Sequence, residues 1–225
     1  MTRISDAKET RSWVPYVAPM ALFLLLTMAE GHSPPAWYPL LYTAKAAVVT
    51  IALFVCARAW RQELRFEARV LPIAILVGLL VLGEWIALDK LAYPRFGTRT
   101  AYNPFTAIAD PGLRYGFLAV RFLGLAVLVP LMEEVFWRSF VLRYATDPDK
   151  WQDIPVGTFS VVACVIMSGL FAVAHPEWLA AFVCAVVYAL LLRQTRSLFA
   201  VVVAHGVTNA GLGIYVLQTG NWQLW

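Results

Sequence analysis

The chain has 225 residues, of which 60% are hydrophobic and 14% are charged, and its formal net charge is +4. Soluble domains contain about 45–50% apolar and about 25% charged residues, so this composition excludes an ordinary soluble domain and predicts an all-α polytopic membrane protein. The basic residues fall at the ends of apolar segments and form no stripe, which excludes a nucleic-acid partner.

Seven apolar segments are predicted to be transmembrane helices, because a span needs about 20 mostly apolar residues. The sixth is short, and a partly re-entrant course is an alternative for it. No internal repeat and no soluble domain is visible, which predicts one integral membrane domain over residues 1–225. In chain order, the predicted helices lie near Val14–Ala29, Leu40–Ala59, Val70–Leu88, Tyr115–Leu142, Val156–Ala174, Trp178–Leu192 and Leu198–Leu217.

The basic residues of the connections predict the orientation. With a cytoplasmic N-terminus, eleven Lys and Arg residues lie on the inside and four on the outside, which agrees with the positive-inside rule. The inside residues are Arg3, Lys8, Arg11, Arg58, Arg61, Arg65, Arg69, Arg143, Lys150, Arg193 and Arg196, and the outside residues are Lys90, Arg95, Arg99 and Arg114.

Two adjacent glutamates, Glu133 and Glu134, interrupt the fourth apolar segment. Carboxylates inside a membrane are costly and indicate a functional site by default. Arg138 follows Glu134 by four residues, so the two are expected to pair on one helix face. Glu133 points about 100° away and is then available as a general base, with Trp137 one turn further on to shield it from water. A structural ion-pair network between helices is the alternative interpretation.

Two histidines also lie in apolar segments. His175 follows Phe171 by four residues, so the phenyl ring is expected to pack against the imidazole. His205 and Asn209 have the same spacing and present N–H donors to one point, which suits an oxyanion site. A single helical His is more often a packing residue, but two of them beside two glutamates favour a functional site.

Three further polar residues lie within the predicted helices. Lys45 is near a helix end, where its side chain is expected to snorkel toward water. Glu84 is expected to pair with Arg121 or to line a cavity, with the structural role favoured.

The polar motifs together resemble the CAAX prenyl protease and bacteriocin-processing (CPBP, or Abi) family of intramembrane endopeptidases. The family pattern is Glu-Glu-xxx-Arg, Phe-xxx-His and His-xxx-Asn, and it stands here as Glu133-Glu134-Val-Phe-Trp-Arg138, Phe171-Ala-Val-Ala-His175 and His205-Gly-Val-Thr-Asn209. The resemblance implies a CAAX-protease-like helical core with its motifs within residues 121–217, preceded by variable helices in residues 1–114.

The whole chain is also similar to bacterial CAAX-protease-related proteins associated with exosortase and PEP-CTERM systems. This similarity implies a location in the bacterial inner membrane. The segments that carry it are Trp85–Asp89, Val129–Arg138, Ile154–Gly157 and Tyr215–Trp225.

The family resemblance implies hydrolysis of a peptide bond in a peptide or protein substrate at the lipid bilayer. Glu133 with His175 would activate a water molecule, and His205 with Asn209 would stabilise the oxyanion. The residues expected to support this geometry are Glu134, Arg138 and Phe171. His175 lies at the outer end of the fifth helix, whereas Glu133 and His205 lie toward the cytoplasmic half. Either this helix starts deep or is tilted, or the predicted orientation is wrong.

Two alternatives remain open. A zinc-dependent protease would use Glu133, His175 and His205 as metal ligands. The sequence contains no HExxH motif, and Arg138 lowers the negative charge of the site, so a metal-free mechanism without a cofactor is favoured. The second alternative is non-catalytic: a membrane scaffold, immunity protein or chaperone, or a transporter that relays protons through the buried polar residues.

Overall fold

The computed structural model describes residues 13–97 and 101–224 of the chain. Within these ranges the structure is helical and contains no strand, which confirms the all-α prediction. The main helices are α1 (Val14–Gly31), α2 (Tyr38–Trp60), α3 (Leu71–Asp89), α4 (Pro111–Thr146), α5 (Val161–Val173), α6 (Trp178–Thr195) and α7 (Leu198–Thr219).

Among the described residues, six helices are long and apolar enough to cross a membrane, and α5 is the shorter exception. The 13 residues of α5 extend about 20 Å, which is less than the hydrocarbon thickness of about 30 Å. The suspicion that the sixth segment is the short one was wrong, because α6 has 18 residues.

The predicted start of the fifth helix at Val156 lies too early in the chain. Gly157 adopts a left-handed φ of +84°, and a Cβ there would lie 2.9 Å from the Leu192 carbonyl oxygen. The backbone therefore approaches α6 in a turn that suits glycine. Ser160 then caps α5 by accepting the Ala163 N–H at 3.3 Å, as serine commonly does at a helix N-terminus.

Two π-helical stretches, Gly124–Leu128 and Val135–Val141, flank the α-helical segment Val129–Glu134 within α4. Pro130 gives a reason for the first, because proline has no N–H and its ring clashes with the carbonyl group four residues earlier. Widened turns of this kind are frequent at functional sites, and here they border the paired glutamates.

Small residues let α7 approach its neighbours closely. A Cβ at Gly78 of α3 would lie 2.5 Å from the Ala204 carbonyl oxygen, and one at Gly206 of α7 would lie 2.8 Å from the Ala126 carbonyl oxygen. Glycine at both positions therefore allows backbone-to-backbone packing, as is common between membrane helices. Because Gly206 directly follows His205, this close contact also brings His205 near α4.

The bundle has two ends, which we call the basic end and the open end. The basic end contains the α2–α3, α4–α5 and α6–α7 connections, and the open end contains the α1–α2, α3–α4 and α5–α6 connections. Of the described basic residues used for orientation, eight lie at the basic end and three at the open end. The others, Arg3, Lys8, Arg11 and Arg99, lie outside the described residues, and the cytoplasmic N-terminus stays a prediction.

Candidate active site

A cavity of about 670 Å³ lies inside the bundle, between α1 and α2 on one side and α4 to α7 on the other. This volume is within the usual range for ligand-binding pockets. The structure brings all four predicted catalytic residues to its wall, although they come from three separate parts of the chain: Glu133, His175, His205 and Asn209.

A buried ion-pair network holds α4 to α7. The Glu134 and Arg138 side chains are both 0% exposed, and Arg138 Nη1 donates to Glu134 Oε1 at 3.1 Å. His205 Nδ1 lies 2.7 Å from the same carboxylate oxygen. Because an ionised carboxylate only accepts hydrogen bonds, Nδ1 carries the proton, and Nε2 is the ring nitrogen of His205 left for other partners.

The aromatic surroundings of Arg138 add to the compensation of its charge, while Arg138 Nε and Glu134 Oε2 are buried without a hydrogen-bond partner among the described residues. The guanidinium group lies 5.1 Å from the centre of the Phe171 ring and 5.5 Å from that of Tyr188. A buried ion pair needs such additional partners, because the loss of hydration of both ions offsets much of their attraction. The network therefore stabilises one arrangement of α4, α5, α6 and α7.

His175 follows α5 in the short connection to α6. Its Nδ1 lies 2.8 Å from the Phe171 carbonyl oxygen, and its ring stacks on the Phe171 ring at 4.4 Å between centroids. Since a carbonyl oxygen only accepts, Nδ1 carries the proton, and in the neutral ring Nε2 keeps its lone pair. Trp85 contacts the imidazole edge-on at 6.1 Å, so the ring is held by aromatic groups.

The short length of α5 places His175 beside the other site residues. Because α5 begins at Val161 and ends at Val173, the chain reaches His175 after about 20 Å of helix. The fifth helix is thus shorter than predicted, and the connection that follows it brings His175 to the cavity wall.

Glu133 is 8% exposed and lines the cavity. Trp137, which was expected to shield it, is not part of the cavity wall. Its indole instead packs edge-on against Phe136 at 4.7 Å and Phe171 at 5.6 Å. The π-helical turn between Val135 and Val141 changes the angular offset between positions 133 and 137, and the indole lies with the aromatic side chains.

Asn209 contacts the first π-helical stretch of α4. Its Nδ2 donates to the Leu125 carbonyl oxygen at 2.9 Å. An asparagine amide has two N–H donors, so one satisfies the backbone of α4 and the other remains for a ligand in the cavity. The partners of His205 and Asn209 are therefore different, although both side chains reach the same cavity.

A second polar cluster in the cavity wall was missed by the sequence analysis. Lys45 and Glu30 are 6% and 8% exposed, form an ion pair, and line the cavity together with Thr27. The expectation that Lys45 snorkels to water was wrong, because Glu30 compensates its charge inside the bundle. The available signal in the sequence was the pair of opposite charges, Glu30 and Lys45, at the facing ends of the first two apolar segments.

Arg121 also lies in the cavity wall, where its guanidinium group is 4.7 Å from the centre of the Tyr42 ring. The expected pairing with Glu84 is not formed: both Glu84 carboxylate oxygens are buried without a hydrogen-bond partner among the described residues. Glu84 is not part of the cavity wall either, so neither sequence-based expectation for it holds.

Within the described residues, no three His, Cys, Asp or Glu side chains are grouped closely enough to hold a metal ion. Glu133, His175 and His205 thus do not form a preassembled zinc site.

Comparison with known proteins gives one match. The family model described as type II CAAX prenyl endopeptidase Rce1-like matches residues 115–211. No curated protein and no solved structure matches the chain significantly. The matched segment does not include Trp85–Asp89 or Tyr215–Trp225, and the link to exosortase systems stays a prediction. The family resemblance predicted from the polar motifs is confirmed over residues 115–211, which match the model of the Rce1-like type II CAAX prenyl endopeptidases, a family of proteases.

Proposed function

We propose that this protein is an intramembrane endopeptidase that hydrolyses a peptide bond with a water molecule activated by Glu133 and His175. The observation that supports the proposal most directly is the shared cavity. Two potential bases and two potential N–H donors line a single space inside a helical bundle, which is the set of groups that peptide hydrolysis needs.

In the first step, Glu133 accepts a proton from water while His175 Nε2 orients the same water through its lone pair. The hydroxide oxygen attacks the scissile carbonyl carbon and forms the tetrahedral intermediate. The Nδ1 bond to the Phe171 carbonyl oxygen supports this role, because it fixes the ring orientation and the tautomer of His175.

In the second step, the oxyanion accepts hydrogen bonds from Asn209 and from His205. His205 donates through Nε2 and therefore acts as an imidazolium, since its Nδ1 proton is already bound to Glu134. The proton held by Glu133 then passes to the leaving amine as the C–N bond breaks, which releases a carboxylic acid and an amine. Glu134 and Arg138 act as positioning residues, because they contact His205 and the helix backbone rather than the reacting atoms.

Cleavage of a peptide library by purified protein in liposomes tests the proposal. Glu133→Gln is expected to lower the rate by about 10²–10⁴-fold, the usual contribution of a general base. Glu84→Gln is the matched control, because Glu84 is another glutamate of an apolar helix but lies outside the cavity wall, and it is expected to keep the activity.

The same assay separates the alternatives. Activity that persists in a chelator supports the metal-free mechanism, whereas activity that is lost and then restored by zinc supports the metalloprotease. If the folded wild-type protein cleaves no peptide of a broad library, the non-catalytic scaffold becomes the better interpretation.

A further inference from the structure

The cavity reaches the open end of the bundle. Its wall includes Ser33 and Pro35 of the α1–α2 connection, Tyr102 of the α3–α4 connection, Pro176 of the α5–α6 connection and Leu224 after α7. Every connection at this end therefore contributes to the wall. None of the residues that line the cavity belongs to a connection at the basic end.

A polar and aromatic cluster closes the basic end. Arg143 Nη2 donates to Glu63 at 3.0 Å, and the Tyr16 hydroxyl donates to the same carboxylate at 3.0 Å. The buried Trp151 packs edge-on against Tyr16 at 5.3 Å and against Phe140 at 5.0 Å. These contacts join α1, α4 and two connections, so the bundle is sealed on the side away from the cavity.

The charge distribution assigns the two ends to the two sides of the membrane. Among the described residues, the basic end has eight of the Lys and Arg residues used for orientation and the open end has three. An excess of this kind marks the cytoplasmic side. The sealed end is thus cytoplasmic, and the cavity faces the opposite side.

We infer that the site is reached from the extracytoplasmic face, and that its substrate is a peptide segment presented at that face. The statement about the substrate rests on the proposed peptidase function, whereas the statement about access does not. A cavity of about 670 Å³ is of the size that holds drug-sized ligands, so it accommodates a short extended segment and excludes a folded domain.

Cysteine labelling with a membrane-impermeant maleimide tests the access. The native cysteines Cys56, Cys164 and Cys184 are first replaced by alanine, and single cysteines are introduced as Ser33→Cys at the cavity mouth or Lys150→Cys at the basic end. In spheroplasts of a bacterial host, the cysteine at position 33 is expected to react before lysis. The cysteine at position 150, which replaces an exposed lysine, is expected to react after lysis alone. The reverse pattern would overturn the inference.

If the cysteine-free protein does not fold, a reporter fused after Trp225 tests the same access in a protein that keeps its native sequence. Leu224, the last described residue, follows α7 at the open end and lines the cavity, so the fusion reports on the side of the membrane that the open end faces. A phosphatase that is active only outside the cytoplasm is expected to be active there, and a fluorescent protein that matures only in the cytoplasm is expected to be dark. A fluorescent fusion with an inactive phosphatase would contradict extracytoplasmic access.

The substrate statement is tested with sealed vesicles of known orientation and an impermeant peptide that the purified protein cleaves. Right-side-out vesicles are expected to cleave the peptide, and inside-out vesicles are expected to lose this activity. Cleavage by inside-out vesicles alone would overturn the inference while leaving the peptidase function intact. If purified protein cleaves no peptide, the proposed function fails, and the labelling still decides the access.

Discussion

Replacing Arg138 by methionine tests whether the buried network holds the bundle together. Arg138 and Glu134 are both 0% exposed and 3.1 Å apart. Methionine keeps much of the length of the side chain and can contact the Phe171 and Tyr188 rings through its sulfur, so the main loss is the charge. Glu134 would then stay buried with His205 as its remaining partner. Removing one member of a buried pair costs about 3–5 kcal/mol.

The assay is equilibrium unfolding in mixed detergent micelles, followed by helical circular dichroism. A loss of about 3–5 kcal/mol would be a large part of a typical stability of about 5–15 kcal/mol. Arg143→Met is the matched control, since its partner Glu63 is 18% exposed and can be hydrated after the pair is broken. We therefore expect a smaller loss for Arg143→Met than for Arg138→Met.

The double variant Arg138→Met with Glu134→Gln removes both charges. Its destabilisation is expected to be smaller than the sum of the two single losses by about 0.5–3 kcal/mol, the usual coupling between residues in contact. The reasoning is refuted if Arg138→Met costs less than about 1 kcal/mol, well below the cost of an uncompensated buried charge. It is also refuted if the two single losses simply add.

The remaining predictions concern catalysis and helix packing. Glu133→Gln should lower the cleavage rate by about 10²–10⁴-fold while the thermal unfolding temperature stays near that of the wild type; a variant with the wild-type rate would remove Glu133 as the base. Asn209→Ala should lower kcat by about 10²–10³-fold, the usual effect of losing one oxyanion donor, and an unchanged kcat in steady-state assays would exclude the role. Gly78→Ala should cost about 1–3 kcal/mol through overpacking, because its Cβ would lie 2.5 Å from the Ala204 carbonyl oxygen. Gly83→Ala, on the same helix with nothing within 4 Å, should be neutral or stabilising by up to about 1 kcal/mol, and equal unfolding curves for both variants would contradict the packing argument.

The sequence alone was sufficient for the fold class and for the choice of Glu133, His175, His205 and Asn209, but it did not reveal the Lys45–Glu30 pair of the same cavity wall. Apolar length identifies membrane helices because the bilayer requires it, and each predicted helix has a counterpart in the structure. The i, i+4 spacing likewise indicated the contacts of Arg138 with Glu134 and of Phe171 with His175, because these depend on the geometry of a single helix and its end.

Contacts between distant parts of the chain were decided by the tertiary structure. Nothing in the local pattern of His205 indicates that its Nδ1 binds Glu134, 71 residues away, because that contact requires the close packing of α7 on α4 at Gly206. The burial of Lys45 likewise depends on tertiary packing, because α1 must lie against α2 for Glu30 to pair with Lys45.

Apolar periodicity also failed to predict two local features, the late start of α5 and the position of the Trp137 side chain. The hydropathy of residues 156–160 is compatible with a helix. In the structure, the left-handed turn at Gly157, which lies against α6, keeps these residues out of the helix. The π-helical turn of α4 changes the side-chain register that a regular helix predicts. Local composition thus determined which groups this protein places in the membrane, and the packing of its helices decided which of them share one cavity.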